Sequence, residues 1–511
     1  LFFRLKSARR SGAVQGVKKS DRFLPTAPTR SRRWAASAWL LAGVVGTLLG
    51  AAAWAAPARP ASKGKLPKRL QLAAPAAPEM ARGVGRCGDE EAGVRAAPEQ
   101  GVDVASQDWL QARQDPRVYL VRVAEQAVER SRGVGVARLL EAAARDEVRD
   151  AEAAALPQMQ LTLSGGYAGS ASLGVQGPHG IEARTALQVN GPLWDWGRQK
   201  QLVEWRRQLA EAAAAGRAGA AEQVALQAVA LSLDRSRYGL QAQVYGQYVR
   251  KMACLVDQLK AITALDQGRA SELTQAQKNQ QQAELALATT QDFLKSTETR
   301  LRRLVGDPLP PPAALAAVLA RLPELAALQK DLIEAQDVAQ ASAQALAARR
   351  LAEAVAAGQK PQLSYLGSVN GRAGNGRQAD WIGGVQLSIP LFNAQDEPQR
   401  AAALKRAAAA DAQRDETLEA KTWRLQEVHD AAGNALDRAR RITELLRASQ
   451  QLRSATLLQW QQLGRRSLFD VMSAEADYYA LRVAHVNALY DAQQAVALMG
   501  SMGRGVLTML R

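Results

Sequence analysis

The sequence is poor in the residues that most catalytic and metal chemistry requires. Its 511 residues include three histidines, two cysteines and six phenylalanines, and aromatics make up only 5%. His179, His429 and His485 lie far apart, which excludes a histidine metal centre built on local ligand spacing. We place His179 in a hairpin turn and the other two on helices. Cys87 lies in linker-like composition and Cys254 in a helical pattern, so no disulfide is expected between them. No Gly-Lys-Ser or Gly-Lys-Thr phosphate loop occurs. Gly83-Val84-Gly85-Arg86-Cys87-Gly88 matches a dinucleotide-binding string, but no strand pattern precedes it and no helix pattern follows. These absences point away from an enzyme and from a bound cofactor.

The chain does hold apolar residue, 47% of it, much as Ala-dominated runs, and a formal net charge of +17. Such runs favour long helices in one elongated body over several compact cores. Nine of those net charges sit in residues 1–56, where ten Lys/Arg face only Asp21. Elsewhere bases alternate with acids on helical patterns instead of interleaving with aromatics, which argues against nucleic-acid binding. The basic start runs into an uncharged stretch from Trp34 to Ala56, ending Ala53-Trp54-Ala55-Ala56-Pro57. A basic flank, an apolar run and a small-x-small site predict a secretory signal peptide over residues 1–55, cut after Ala55. An uncleaved membrane anchor is the alternative, because the run is long enough to span. No Cys follows the run, so no lipid anchor is expected. Residues 56–108, rich in Ala, Pro and Gly, are expected to be a flexible lead-in.

From Trp109 to Leu156 the pattern is helical, and Pro157 ends it. The period then changes to two. Met159, Leu161 and Leu163 alternate with Gln160, Thr162 and Ser164, and Ile181, Leu187 and Val189 with Glu182, Gln188 and Asn190. These predict strands at about 158–167 and 181–191. A second pair, at about 362–370 and 381–389, alternates in the same way around a Gly-rich turn. All four have the length of tilted membrane-spanning strands.

The hairpins end alike, at Pro192-Leu193-Trp194 and Pro390-Leu391-Phe392. Pro157 pairs with Pro361, Pro192 with Pro390 and Gly268 with Gly464, at separations of 204, 198 and 196 residues. Such near-constant offsets predict an internal duplication, with repeats at 109–312 and 313–505 and a tail at 506–511. Each repeat reads as helix, hairpin, long helix, turn and returning helix. The long helices, about 197–266 and 393–463, would each extend about 100 Å, and their Ala-rich faces suit close bundling.

Four amphipathic strands leave sheet edges that lipid cannot satisfy, so they must close against other chains. Three chains with four strands each make a twelve-stranded barrel, polar inside and apolar outside. Trp194, Trp196 and Phe392 would lie at the membrane interface, in contact with outer-membrane lipid, unless they only pack a strand-to-helix corner. The helices would continue the barrel as a tube whose free mouth is formed by the turns at Gly268 and Gly464.

The stretch Gly464-Arg465-Arg466-Ser467-Leu468-Phe469-Asp470-Val471-Met472-Ser473-Ala474-Glu475 resembles the second-repeat tip of the TolC family of outer-membrane factors. Gly268 to Gln277 resembles its first-repeat copy, and the resemblance extends from Trp109 to about Gly505. It implies a mainly α protomer of a homotrimer, with a transmembrane β-barrel and a periplasmic α-helical tunnel. It further implies a tip that coils inward to close the entrance, an acidic ring supplied by Asp470, and Arg466 as a latch between neighbouring coils. Ser473 and Thr274 stand where the family often has acids. Gly268-Arg269 and Gly464-Arg465 resemble the docking site for a periplasmic adaptor.

The run Tyr478 to Tyr490 is similar to outer-membrane components that export large adhesins. This implies type I protein secretion with an inner-membrane ABC transporter. A multidrug efflux channel working with a proton-driven pump is the alternative, and a periplasmic coiled-coil adaptor or scaffold is the rival from another class.

Overall fold

In the computed structural model the described residues are 115–172, 175–374, 377–460 and 467–511. The expected signal peptide and lead-in lie outside them, as do Cys87, Gly464, Arg465 and Arg466.

The first helical pattern is two helices, α1 (Pro116–Arg130) and α2 (Arg132–Ala153), divided at Ser131. Asp115 caps α1, accepting a hydrogen bond from Arg117 N at 2.9 Å, and Pro116 occupies the first turn, where its missing N–H costs nothing. Ser131 ends one helix and starts the next, its hydroxyl accepting from Val134 N at 3.3 Å. A serine that competes for backbone donors explains a break that hydrophobic periodicity alone does not reveal.

Two hairpins follow, the first directly after α2 and the second after a later helix. They are β1 (Gln158–Ser172) with β2 (Val175–Trp194), and β3 (Gln362–Ala373) with β4 (Arg377–Ser388). The first hairpin reaches well beyond its expected ends, because the glycine-rich segment pairs as strand. His179 therefore faces Gly169 across the ladder, not in a turn. The four strands form one antiparallel sheet in the order β1-β2-β3-β4, with β2 joining the repeats. Register partners keep parity across all four strands: Leu161, Leu187, Val369 and Trp381 share one row, while Ser164, Arg184, Arg372 and Gln378 share a row of the other face. One face is thus apolar and the other polar. Within the single chain β1 and β4 remain open edges.

Each hairpin feeds a long helix. These are α3 (Arg198–Thr263), of 66 residues, and α7 (Asp396–Leu458), of 63 residues, each therefore about 100 Å long. They return as α4 (Ala270–Val305) and α8 (Leu468–Met502). The second repeat places two helices before its hairpin, α5 (Leu325–Asp331) and α6 (Gln336–Gly358). The C-terminal residues, expected as a tail, instead form α9 (Val506–Leu510), with Val506 and Leu510 buried. Their apolar side chains and the Glu222 carboxylate, which accepts from Val506 N at 2.6 Å, hold them in place.

The main core lies midway along the bundle. Tyr119, Leu120, Val123, Ala124 and Ala127 of α1 form an apolar stripe at helical spacing. It packs on α3, α4 and α8 and on Leu315 and Leu319 of the inter-repeat segment. Nearer the sheet, Ala352, Ala403 and Ala407 meet, small side chains that let α6 and α7 approach closely. Among the described residues no helix is long and apolar enough to cross a membrane. That says nothing of the strands.

Cys254 lies on α3, and the expectation about its pairing with Cys87 falls outside the described residues.

At the end of α4, Gly306 has φ 90° and ψ −169°, and an added Cβ would lie 2.5 Å from Cζ of Arg130. Gly306→Ala is therefore expected to cost about 1–3 kcal/mol, read as a lower unfolding temperature of the solubilised protein.

Candidate functional site

The residues singled out in the sequence fall at two stations, the sheet-to-helix corner and the helical tip. At the corner Trp196 has φ 57°, and Gly197 follows at φ 81°. The Asp195 carboxylate accepts from Gly197 N at 3.0 Å and Gln199 N at 2.7 Å and so starts α3. The Trp196 indole N–H donates to Pro361 O at 2.7 Å, tying the exit of the first hairpin to the entrance of the second. Trp194 meets Trp196 edge-on at 6.0 Å, and both rings and Phe392 remain exposed. The three aromatics thus lie where the sheet meets the helices, and Trp196 also packs the corner.

At the far end α3 stops at Thr263, and the chain turns through a single 3₁₀ turn, Gln267–Arg269. Asp266 shapes that turn by accepting from Gly268 N at 3.0 Å, and Arg269 pairs with Asp266 at 3.7 Å. Gly268 leaves room for this contact, since a Cβ would lie 3.1 Å from Asp266 Oδ1. Leu265 beside it is 92% exposed.

The second tip restarts at Ser467 with a reciprocal cap. Ser467 Oγ accepts from Asp470 N at 3.3 Å, and Asp470 Oδ2 accepts from Ser467 N at 3.2 Å. The Thr274 hydroxyl donates back to Ala270 O of its own helix at 3.0 Å. Thr274, Asp470 and Ser473 are all exposed.

Behind these exposed groups the two tips share one core. Met252, Leu255, Val256 and Leu259 of α3 pack with Ala276 of α4 and with Leu468, Val471 and Met472 of α8. Above it lies a buried charge cluster. Glu475 of α8, 0% exposed, lies 3.7 Å from Lys251 Nζ of α3 and 3.6 Å from Arg453 Nη1 of α7. The Arg453 guanidinium stacks over the Tyr478 ring at 4.2 Å, and Tyr479 packs against Tyr248 at 4.9 Å. Burial first, then the Glu475 and Asp477 carboxylates, push the Tyr248 phenol above its ordinary range.

No protein-family model matches the chain, and no curated relative matches it. Solved structures do. The outer membrane protein VceC of Vibrio cholerae is similar at 19% identity, over 78% of this chain and 99% of that one, with a TM-score of 0.68. The outer-membrane channel OprN is similar at 18% identity over 78% of this chain and 92% of its own, with a TM-score of 0.68. The CmeC outer membrane channel of Campylobacter jejuni is similar at 14% identity over 81% and 91%, with a TM-score of 0.66. The fold is the TolC-type outer-membrane channel fold.

On this fold the residues expected at the gate and the docking tip, Asp470, Ser473, Thr274, Gly268 and Arg269, all stand at the helical end remote from the sheet. Arg466, Gly464 and Arg465 lie outside the described residues. The Lys251–Glu475–Arg453 cluster was not anticipated. Its three members are separated in sequence and each occupies an ordinary helical position, so only the packing of α3, α7 and α8 reveals it. Among the described residues no group of three or more His, Cys, Asp or Glu is placed to hold a metal ion. His429 Nε2 lies 3.3 Å from Pro323 O, and His485 Nε2 lies 3.2 Å from Thr443 Oγ1, with burial pulling the His485 imidazole below its ordinary value.

Removing the carboxylate would leave the buried Lys251 ammonium without its counter-charge. Glu475→Ala is expected to destabilise the tip by about 3–5 kcal/mol and Glu475→Gln by less. Hydrogen exchange along α3 and α8 near the tip would measure both. Equal exchange in wild type and Glu475→Ala would show that the cluster contributes no stability.

Proposed function

We propose that this chain is one subunit of a homotrimeric outer-membrane channel, which passes cargo through a shared barrel into and along a periplasmic helical tube. The carrying observation is the sheet: four strands whose register keeps parity through the body of each pairing, one face apolar, and β1 and β4 as outer strands among the described residues. An open edge in hydrocarbon costs several kcal/mol per unpaired backbone group, and three copies joined β4 to β1 remove every edge. Support also comes from α2, which buries only Glu141 and leaves Val136, Leu139 and Leu140 exposed for a neighbour to cover. The channel has no chemistry of its own, so an inner-membrane transporter supplies the energy and a periplasmic adaptor bridges to it. Gly268-Arg269, with exposed Leu265 alongside, and Gly464-Arg465 are the surface offered to that adaptor.

We assign the channel to type I secretion, with an ABC transporter as partner and a large unfolded polypeptide as cargo. This rests on the similarity of the Tyr478 to Tyr490 run to adhesin-exporting components. In the structure that run packs Tyr478 and Tyr479 directly behind the tip. Deleting the gene should abolish secretion of the adhesin and leave drug susceptibility unchanged. Unchanged secretion with raised susceptibility would assign the channel to efflux instead. Migration as a heat-modifiable trimer from outer-membrane fractions tests the assembly, and a soluble periplasmic monomer would exclude it.

Asp470 is assigned to the mouth as a ring of three carboxylates, which repel one another and attract cations. Asp470→Ala removes both charge and cap, the latter worth about 1 kcal/mol, whereas Asp470→Asn keeps an acceptor for Ser467 N. Both are expected to lower cation preference in planar bilayers, and only Asp470→Ala should also loosen the start of α8. Unchanged selectivity in both would remove Asp470 from the gate.

A further inference from the structure

The charged residues Glu182, Arg184, Arg372 and Asp380 on the polar face of the sheet fall within a narrow band near the hairpin ends. Arg184 Nε lies 2.5 Å and Arg372 Nε 3.0 Å from the same oxygen, Glu182 Oε1. Arg184 and Arg372 are register partners, so the cluster bridges the two hairpins across the β2–β3 pairing. Glu182 side-chain exposure is 7%, against 55% for Arg184 and 48% for Arg372. The carboxylate is covered and the guanidinium groups project from the polar face. The turn at Gly374 presses on this point, since its φ is 142° and a Cβ there would lie 2.9 Å from Glu182 Cα. Nearer the helices, in the next row, Asp380 accepts from Asn370 Nδ2 at 2.9 Å.

We propose that Arg184 and Arg372, held on Glu182, form an anion-attracting ring inside the outer mouth of the barrel. This rests on the trimeric barrel proposed above, in which the polar face lines the lumen and the hairpin ends lie outside. At that level each chain presents two exposed guanidinium groups against one buried carboxylate, while the exposed Asp380 lies one polar row nearer the helices, so a positive ring stands outside an acidic one. Rings of arginine favour anions in a pore, and a low-dielectric wall strengthens their field. The ring has the opposite sign to the carboxylates assigned to the periplasmic mouth, so the conduit is asymmetric along its axis. Acidic segments of a cargo chain, or small anions, meet the positive ring at the outer end. A cluster that served only to pin the hairpins together would not make the pore respond differently to an anion from its two sides.

The test is block of single-channel current by citrate, added to one side of a planar bilayer at a time, with orientation set by asymmetric insertion. Wild type is expected to be blocked more strongly from the outer side. The Arg184→Gln/Arg372→Gln double variant should weaken that outer block by about fivefold or more and leave the inner-side response unchanged. Glu182→Gln, which uncovers a further positive charge, should strengthen it, and serves alone if the double variant fails to insert. Equal outer block in wild type and the inserting double variant overturns the proposal, as does an unchanged block in Glu182→Gln. A wild-type protein that inserts no conducting pore would instead defeat the barrel assignment on which the ring rests.

Discussion

In the proposed barrel, lipid offers no hydrogen-bond partner to a peptide group, and this constraint shapes everything the sheet does. Four antiparallel strands pair internally, and among the described residues β1 and β4 are the outer strands of the sheet. In the proposed trimer, edges of neighbouring copies satisfy each other, which makes the single chain a third of a wall. The parity of Leu161, Leu187, Val369 and Trp381 against Ser164, Arg184, Arg372 and Gln378 gives that wall a dry and a wet side. A slip of one residue in any pairing would exchange the two sides, which makes the β2–β3 register the most consequential pairing in the chain.

The corners transmit this order to the helices. A left-handed Trp196-Gly197 step converts strand direction into helix direction after β2, and the Trp196 indole bonded to Pro361 O ties that corner to the entrance of β3. From there α3 and α7 run about 100 Å with Ala-rich faces, so helix spacing is set by small side chains instead of interlocking large ones. The large apolar residues are concentrated midway along the bundle, where α1, the inter-repeat segment and α9 wrap the long helices. The largest core is thus at the waist, with a smaller one behind the tip.

At the tip the forces divide into two kinds. The exposed turn and cap contacts of Asp266, Ser467 and Asp470 are worth about 1 kcal/mol each and exchange readily with water. The buried Lys251–Glu475–Arg453 cluster joins three helices and is costly to break from one side, because each charge is held by the others out of water. A tip with weak outer contacts over a buried inner cluster can rearrange its rim while keeping its helices in register.

Much of this architecture was legible in the sequence, since period-two and helical patterns are local and the duplication repeats its prolines and glycines. The four strands, the long helices, the returning helices and the sheet-to-helix corners all follow from spacing. The sequence misled where the deciding contact was not local. The glycine-rich segment around His179 pairs as strand because its partners across the ladder are in register, and the C-terminal residues fold because Glu222 and the waist core receive them. Sequence by itself determined which residues are strand or helix and which strand face is apolar, because those depend on alternation along one chain. Tertiary structure alone decided that Glu475 is buried between Lys251 and Arg453, and that Arg184 and Arg372 share Glu182. Burial and charge pairing depend on which distant helices and strands come together, and composition does not encode that meeting.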